Sequence, residues 1–191
     1  MRIERIQSLR SSLRGIVPPL ITPLILHNVN DDETSDTSAI GKQVLSIDVE
    51  GTRKVIEHVI DGGVSALFAF GSTGEGPSLS RKLRSEFVRL VCDTVKDRVP
   101  VLVGIIGTCM QDIVRDAADY QIAGASAMVL TAPFYFSVSQ DELFDWCWQI
   151  YNEIDGSMPL VLYNMPGLTK VWFEIETVKK LLLHEIGRAH V

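Results

Sequence analysis

Two short stretches of the chain carry groups that could bind an anion and move a proton. Gly71-Ser72-Thr73-Gly74-Glu75 follows an apolar run, and glycines beside small hydroxyl residues let backbone N–H groups converge on a carboxylate or phosphate. Tyr163 ends another apolar run, just before Asn164-Met165-Pro166, and a tyrosine hydroxyl can relay a proton when its neighbours tune it. Taken alone, the first stretch is also typical of a plain strand-to-helix turn. A lone tyrosine is likewise typical of a residue packed in the core.

A third candidate, Tyr135, lies at an equivalent position. It comes just beyond an apolar run, within Ala132-Pro133-Phe134-Tyr135. In parallel α/β barrels the side chains at the carboxyl ends of strands face the catalytic side. Two tyrosines and a hydroxyl-bearing glycine loop, all at strand exits, are hard to attribute to chance. We therefore interpret them as parts of one site.

Short apolar strands alternate with amphipathic helices along the chain, which is the pattern of a parallel α/β fold. The apolar runs predict strands at 15–24, 66–70, 101–105, 127–131 and 160–163. Helical periodicity predicts helices at 49–60, 81–95, 111–122, 140–154 and 174–183. Ser80 is a plausible N-cap for the helix at 81–95. A faint internal repeat, in which 61–67 echoes 122–128, supports repeated βα units.

In this order, the motifs resemble those of the dihydrodipicolinate synthase / N-acetylneuraminate lyase family, which are pyruvate-dependent class I aldolases. The likeness runs from about residue 15 to 183 and covers segments 18–23, 71–75, 97–104, 133–135 with 139–140, and 163–169. The resemblance implies an α/β fold of the (β/α)8 TIM-barrel type, with about five βα units present in a partial barrel domain spanning 1–184. It also implies a homo-oligomer, dimeric or tetrameric, and a lyase that needs neither a metal nor a diffusible cofactor.

The resemblance implies a role for each candidate residue. Within 71–74, the amides and hydroxyls of Ser72 and Thr73 would hold the carboxylate of pyruvate. Tyr163 would shuttle protons while the C–C bond between pyruvate and an aldehyde is made or cleaved. Ser72 and Tyr135 would complete a hydroxyl relay with Tyr163. In this family the counterpart of Tyr135 often reaches in from a neighbouring subunit.

The nucleophile of the family is a lysine that forms a Schiff base with pyruvate, on the strand after the one that Tyr163 ends. One βα repeat places it roughly 30 residues beyond Tyr163, and we expect it to be absent from this chain. Lys170 is the one lysine in a catalytic-face loop, but a loop lysine in water stays protonated and attacks poorly. The alternative function is therefore a catalytically dead fragment or a carboxylate-binding module.

A second departure from the family concerns the substrate. Synthases that act on aspartate semialdehyde carry an arginine immediately before the threonine of Tyr-Asn-x-Pro-x-x-Thr, whereas here Leu168 precedes Thr169. An apolar side chain cannot pair with a substrate carboxylate. This departure argues against dihydrodipicolinate synthase activity and leaves a sialic-acid lyase, a keto-deoxy-sugar aldolase and related 2-oxo-acid lyases open.

Composition and charge fit an enzyme of small metabolites in the cytoplasm. The 191 residues are 46% hydrophobic with a net charge of −6, which argues against nucleic acid or an anionic membrane as the main partner. No apolar run approaches the ~20 residues of a membrane span. The three cysteines form no CxxC motif, so we expect reduced thiols and no structural zinc.

Three segments stand apart from the barrel pattern. Residues 1–13 are rich in arginine and serine and fit either an organelle transit segment or a lead-in helix that closes the barrel floor. We favour the lead-in helix. Residues 27–45 form a polar insertion, interpreted as disordered in preference to a lid. Residues 185–191 equal one reading frame of a common sequencing adapter and are interpreted as a non-native tail. A complete flavodoxin-like domain, with strand order 2-1-3-4-5, is the remaining alternative for the fold.

Overall fold

A parallel sheet with helices packed on one face forms the body of the protein. The structure, a computed structural model, describes residues 2–28, 43–154, 158–184 and 189–190. Its strands are β1 Leu24–Asn28, β2 Gln43–Ile47, β3 Leu67–Ala69, β4 Val101–Gly104, β5 Ala127–Thr131, β6 Leu160–Tyr163 and β7 Ala189–His190. Its α-helices are α1 Arg2–Ser12, α2 Val49–Asp61, α3 Arg81–Val95, α4 Met110–Ile122, α5 Gln140–Glu153, α6 Pro166–Thr169 and α7 Ile175–Leu183. None of these helices is long and apolar enough to cross a bilayer.

The order of the strands identifies a partial barrel. Strands β3 to β7 lie side by side in chain order and are all parallel. The segment at 16–20 lies on the other side of β3, because Phe68 N–H donates to Pro18 O at 3.1 Å and Leu20 N–H donates to Phe68 O at 2.8 Å. Sequential neighbours are the arrangement of a (β/α)8 barrel, and they exclude the flavodoxin-like order. The predicted fold class is therefore confirmed.

The prediction of a first strand at 15–24 is wrong in two respects. The segment does not form a regular strand, and its last residue, Leu24, belongs to another one. Only one bridge, between Pro19 and Phe68, joins this segment to the sheet. Prolines at 18, 19 and 23 lack the N–H that a regular ladder requires. Leu24 instead begins β1, which pairs antiparallel with β2 as a hairpin. The ends of the polar insertion predicted at 27–45 therefore belong to this hairpin, and residues 29–42 lie outside the described residues.

Alternation along the strands sorts the core into two layers. Ala127 and Val129 of β5 face a small interior cluster, together with Val161 of β6. Met128 and Leu130 face the larger cluster beneath the helices. This is the period of two expected for strands that are covered on both faces. Leu9 of α1 is 6% exposed and joins the interior cluster, as expected for a lead-in helix that covers the barrel floor.

Side-chain caps fix where the helices begin. Ser80 Oγ accepts from Leu83 N–H at 3.3 Å, so α3 begins at Arg81 as predicted. Ser139 and Glu142 form a capping box at the start of α5, in which each side chain binds the other's backbone N–H. The helices before β3 and β5 are followed by Gly63 and Gly124, which have left-handed φ angles of 77° and 101°. Each βα unit is thus closed by local sequence signals.

Ion pairs that share Asp116 tie α3 to α4 behind the site. Asp116 accepts hydrogen bonds from Arg81 Nε at 3.1 Å and from Arg84 Nη2 at 2.6 Å. Arg84 Nη1 also donates to Leu79 O at 2.7 Å. Burial by itself lowers the pKa of Arg84, but the hydrogen bonds and charges of Asp116 and Tyr120 together raise that pKa above its ordinary value. The segment that leads from the glycine loop into α3 is thereby held against α4.

Residues 189–190 continue the sheet beyond β6. Ala189 lies opposite Val161, and His190 lies opposite Leu162, in a parallel register. This is the position of the next barrel strand. The remainder of the tail predicted at 185–191, namely 185–188 and 191, lies outside the described residues, and its non-native origin stays a prediction.

Candidate active site

A cavity of about 230 Å³ opens at the carboxyl ends of the central strands. Gly71, Ser72 and Thr73 line it from one side, and Tyr163 lines it from another. The rest of its wall is apolar: Val17, Pro19, Phe68, Leu102, Val129 and Val161. The structure therefore brings together four of the residues that the sequence assigned to the site, although Tyr163 is about ninety positions from the loop along the chain.

The glycine loop owes its shape to a strained residue that precedes it. Phe70 has a φ of 62°, which is rare for a bulky side chain and requires support from the surroundings. Its ring is fully buried and packs 5.4 Å from the ring of Phe87 and 6.0 Å from that of Tyr120. Gly76 and Gly104 approach its backbone so closely that a Cβ would lie 2.6 Å from Phe70 Cβ at Gly76, and 2.5 Å from Phe70 O at Gly104. These contacts turn the chain out of β3 and into the cavity.

Gly74 anchors the loop and lines neither of the cavities described for this site. It is buried, and a Cβ there would lie 2.8 Å from Leu20 O. Its carbonyl accepts from Thr22 Oγ1 at 2.7 Å. The short 3₁₀-helix Ser72–Gly74 is thus fixed to the first segment of the barrel. The sequence did not point to Thr22, because nothing local indicates this contact.

Tyr163 is half-buried at the end of β6. Its ring stands edge-on to that of Phe68, with centroids 5.7 Å apart. The same Phe68 ring lies directly under Gly71, where a Cβ would be 2.8 Å from Phe68 Cε1. Phe68 is therefore the physical link between the tyrosine and the glycine loop. The Tyr163 hydroxyl lies 4.0 Å from Met165 Sδ, which is a weak contact.

Tyr135 is not brought to the cavity within this chain. It follows β5 with a φ of 81° and is 87% exposed. Its ring packs edge-on against the exposed Phe136, with centroids 4.9 Å apart. The structure therefore places Ser72 and Tyr163 in one cavity and leaves Tyr135 at the surface beside it.

A second cavity, of about 180 Å³, shares Ser72 and Tyr163 with the first. These two residues therefore lie where the two cavities meet. The other lining residues are Pro77, Ile106, Thr131, Phe134, Met165, Leu168 and Thr169. Sequence reasoning singled out Leu168 and missed Thr131, although Thr131 ends β5 directly opposite Tyr163 in the β5–β6 register. A shared position at adjacent strand ends is the signal that could have found it.

Hydrogen bonds within the loop after Tyr163 fix the wall of the second cavity. Asn164 Oδ1 accepts from Phe173 N–H at 3.2 Å. Thr169 is 4% exposed, and its Oγ1 lies 3.1 Å from Met165 O and 3.0 Å from Val171 O. The Asn164 side-chain oxygen and the Thr169 hydroxyl are therefore both engaged within the chain, where they shape the backbone of this loop.

The described lysines are all exposed, and none lines either cavity. Lys170 has a φ of 61°, and its Nζ donates to Gly167 O at 2.7 Å. The loop thus holds the Lys170 ammonium in solvent, where it is not placed to act as the nucleophile of this site. Lys42 lies outside the described residues.

Comparison with known proteins assigns the family. A sequence model described as the dihydrodipicolinate synthetase family matches residues 42–186. The chain belongs to this family. The chain is 26% identical to 4-hydroxy-tetrahydrodipicolinate synthase of Phocaeicola vulgatus over 91% of this chain and 52% of that protein. It spans about half the length of the curated relatives that it matches.

Solved structures of the dihydrodipicolinate synthetase family have the same fold. Dihydrodipicolinate synthase from Bacteroides thetaiotaomicron superimposes with a TM-score of 0.75 at 40% identity, covering 90% of this chain and 51% of that one. YagE of Escherichia coli K12, a prophage protein of the dihydrodipicolinic acid synthase family in complex with pyruvate, gives a TM-score of 0.73 at 32% identity, covering 89% and 51%. The likeness extends over nearly all of this chain and half of each relative.

Proposed function

We propose that this chain supplies the pyruvate-binding and proton-relay part of a Schiff-base lyase or aldolase, which makes or cleaves a C–C bond between pyruvate and an aldehyde. One observation carries the proposal: Gly71, Ser72, Thr73 and Tyr163 line a single cavity at the carboxyl ends of parallel strands. This is the face on which barrel enzymes bind their substrates.

The first cavity suits a small 2-oxo acid. The amides and hydroxyls of Ser72 and Thr73 offer hydrogen-bond donors to a carboxylate at one end. Leu102, Val129 and Val161 form an apolar floor, which limits the access of water. With its carboxylate at these donors, pyruvate would turn its carbon C3 towards Ser72 and Tyr163, where the two cavities meet.

Proton transfer is assigned to Tyr163 and Ser72. An imine forms when an amine attacks the keto carbon of pyruvate and water leaves, and loss of a C3 proton then gives an enamine. Carbon C3 attacks the aldehyde carbon, and the aldehyde oxygen takes up a proton as the new C–C bond forms. Tyr163 and Ser72 lie where the two cavities meet, which is the place from which a hydroxyl could serve both reactants.

The Schiff-base lysine is proposed to come from the strand that follows β6 in a longer protein. The parallel pairing of Ala189 with Val161 supports this proposal, because it leaves room for a strand beside β6 in the sheet. Sequencing the native transcript past codon 183 tests this. We expect it to diverge from 185–191 and to encode a lysine on that strand. A native transcript that encodes 185–191 and then stops would refute this part of the proposal.

Tyr135 is proposed to act in the cavity of a neighbouring subunit. It is 87% exposed and strained at φ 81°, and strain of this kind persists only where the structure makes use of it or holds it in place. A homo-oligomer follows from this assignment. Sedimentation of the chain and of Tyr135→Ala is expected to show weaker self-association in the variant.

A carboxylate-binding module is the second candidate, and the exposure of every described lysine favours it for this chain alone. Borohydride reduction in the presence of pyruvate, followed by mass spectrometry, tests whether any lysine of this chain forms the Schiff base. We expect pyruvate to shift the amide resonances of Ser72 and Thr73 without leaving a covalent adduct on this chain. Ser72→Ala should weaken binding, whereas Ser78→Ala, a matched change in the following 3₁₀-helix Gly76–Ser78, should not. A reduced adduct on Lys170 would overturn the assignment of the lysine to another strand.

A further inference from the structure

We propose that the second cavity selects an aldehyde whose substituent is uncharged and largely apolar, and that Thr131 is its polar contact. This inference rests on the proposed function, since it concerns the substrate that meets pyruvate at the same site. It commits to one substrate class within a family whose members differ in this respect.

The size and walls of the second cavity support an apolar substituent. Ile106, Phe134 and Met165 face it together with Pro77. Its volume is about 180 Å³, slightly more than the roughly 150 Å³ of an apolar cavity that stays dry and binds benzene. A group of about six carbon atoms therefore fills it.

No charged side chain lines this cavity within the described part of the chain. Leu168 lies at its mouth and is 62% exposed. A substrate with a second carboxylate would lose its hydration shell there without gaining a cation as partner, which is strongly unfavourable. Leu168 therefore disfavours charged substrates, because its side chain is apolar and lies in the wall of this cavity.

The cavity also offers few hydrogen bonds to a sugar chain. Thr169 Oγ1 is engaged by the carbonyls of Met165 and Val171. Ser72 and Tyr163 belong to the boundary with the pyruvate cavity. Among the described residues of the wall, Thr131 carries the one remaining hydroxyl, which suits a substrate with a single oxygen and not a polyol.

Thr131 carries a buried hydroxyl that the described part of the chain leaves without a partner. It is 4% exposed, and its Oγ1 forms no hydrogen bond there. Ala127 and Val129, at alternate positions of β5, face the barrel interior, so Thr131 faces the interior as well. Its register partner is Tyr163. A buried hydroxyl beside the proton-relay tyrosine is placed to bind the oxygen of the aldehyde.

Unreactive alcohols test the inference, because aldehydes would modify surface lysines. The probes are benzyl alcohol, 4-(hydroxymethyl)benzoate, erythritol and toluene, titrated into the 191-residue chain with ¹³C-methyl methionine. The Met165 methyl resonance reports the second cavity, and that of buried Met128, on the opposite face of β5, is the internal reference. We expect benzyl alcohol to bind at least about tenfold more tightly than the benzoate, and erythritol not to move Met165.

Two substitutions assign the effect to named side chains. Leu168→Arg should bring the affinities for the benzoate and benzyl alcohol together, and Leu183→Arg, a matched change at an 83% exposed position of α7, should not. Thr131→Val should weaken benzyl alcohol about threefold to tenfold and leave toluene unchanged. Thr52→Val is its control, because Thr52 is also buried, its hydroxyl likewise has no partner among the described residues, and it lies on α2.

The outcomes separate this inference from the proposed function. Benzoate or erythritol binding as tightly as benzyl alcohol, or Thr131→Val behaving as Thr52→Val does, would overturn the inference. Pyruvate shifts at the amides of Ser72 and Thr73 are followed in the same samples. If those shifts persist while the alcohols fail the test, only the inference falls. If they are absent while benzyl alcohol binds as expected, the proposed function falls and the apolar cavity stands.

Discussion

Substituting Gly104 by alanine should displace the loop that carries Ser72 and Thr73. Gly104 ends β4, and its φ is not left-handed, so alanine is compatible with its backbone. The added Cβ would lie 2.5 Å from Phe70 O and 3.1 Å from Phe70 C. Both are backbone atoms, and Phe70 cannot retreat because its ring is buried against Phe87 and Tyr120. The strain must therefore pass into the turn that begins at Gly71.

The expected loss of stability follows from two opposing effects. Overpacking of a tight site costs about 1–3 kcal/mol, and replacing glycine by alanine restrains the unfolded chain, which offsets about 0.4–1 kcal/mol. The net loss for Gly104→Ala is about 1–2 kcal/mol, or a fall in Tm of about 2–8 °C at this chain length. Pyruvate binding should weaken more than stability alone explains, because the amides of the loop move.

Urea unfolding and a pyruvate titration of the same samples provide the assay. Gly107→Ala is the matched control, because it lies three residues further along the chain and its Cβ would meet Ile113 at an ordinary 3.5 Å. We expect the control to retain the stability and pyruvate affinity of the unsubstituted chain. A Gly104→Ala variant with both properties unchanged would refute the account of how Phe70 positions the loop.

Three further predictions concern Asp116 and the cysteines. Asp116→Asn should lower the free energy of unfolding by about 2 kcal/mol in urea titrations, because Arg84 loses its charged partner. Asp141→Asn, at an exposed ion pair, should leave the free energy of unfolding unchanged. Equal effects of the two substitutions would refute the claim that the Asp116 ion pair stabilises the fold more than the exposed one. At pH 8 a thiol reagent should label exposed Cys109 quickly and Cys147 only on unfolding, because burial raises the pKa of Cys147 to about 12. Because the pKa of Cys147 is higher in the folded state than its ordinary value of 9.0, its protonated thiol stabilises the folded state below pH 9, and this stabilisation is lost as the pH rises towards 12. A urea midpoint that does not fall over that range would contradict this prediction.

The elements that the sequence predicted well are those with local signals. The helix at 81–95 has a cap at Ser80 and a regular apolar period, and the structure begins and ends it at the predicted residues. The strands at 127–131 and 160–163 likewise match the structure, because apolar runs bounded by turn residues leave little choice of ends. The cavity of Ser72 and Tyr163 followed from the rule that strand exits of a parallel barrel share one face.

Features set by distant packing could not be predicted in the same way. The left-handed φ of Phe70 depends on the close approach of Gly76 and Gly104, which no local pattern indicates. The hairpin of β1 and β2 arises from pairing across the polar insertion. The cavity-facing position of Thr131 becomes evident only from the register with β6. In each case the decisive contact joins residues that are far apart in the chain.

A crystal structure of the chain soaked with pyruvate is the most direct test of the central claim. The account predicts the pyruvate carboxylate within hydrogen-bond distance, about 3 Å, of the amides of Ser72 and Thr73, with the keto group towards Tyr163. Pyruvate bound elsewhere on the protein, with the cavity of Ser72 and Tyr163 empty at saturating concentration, would contradict it.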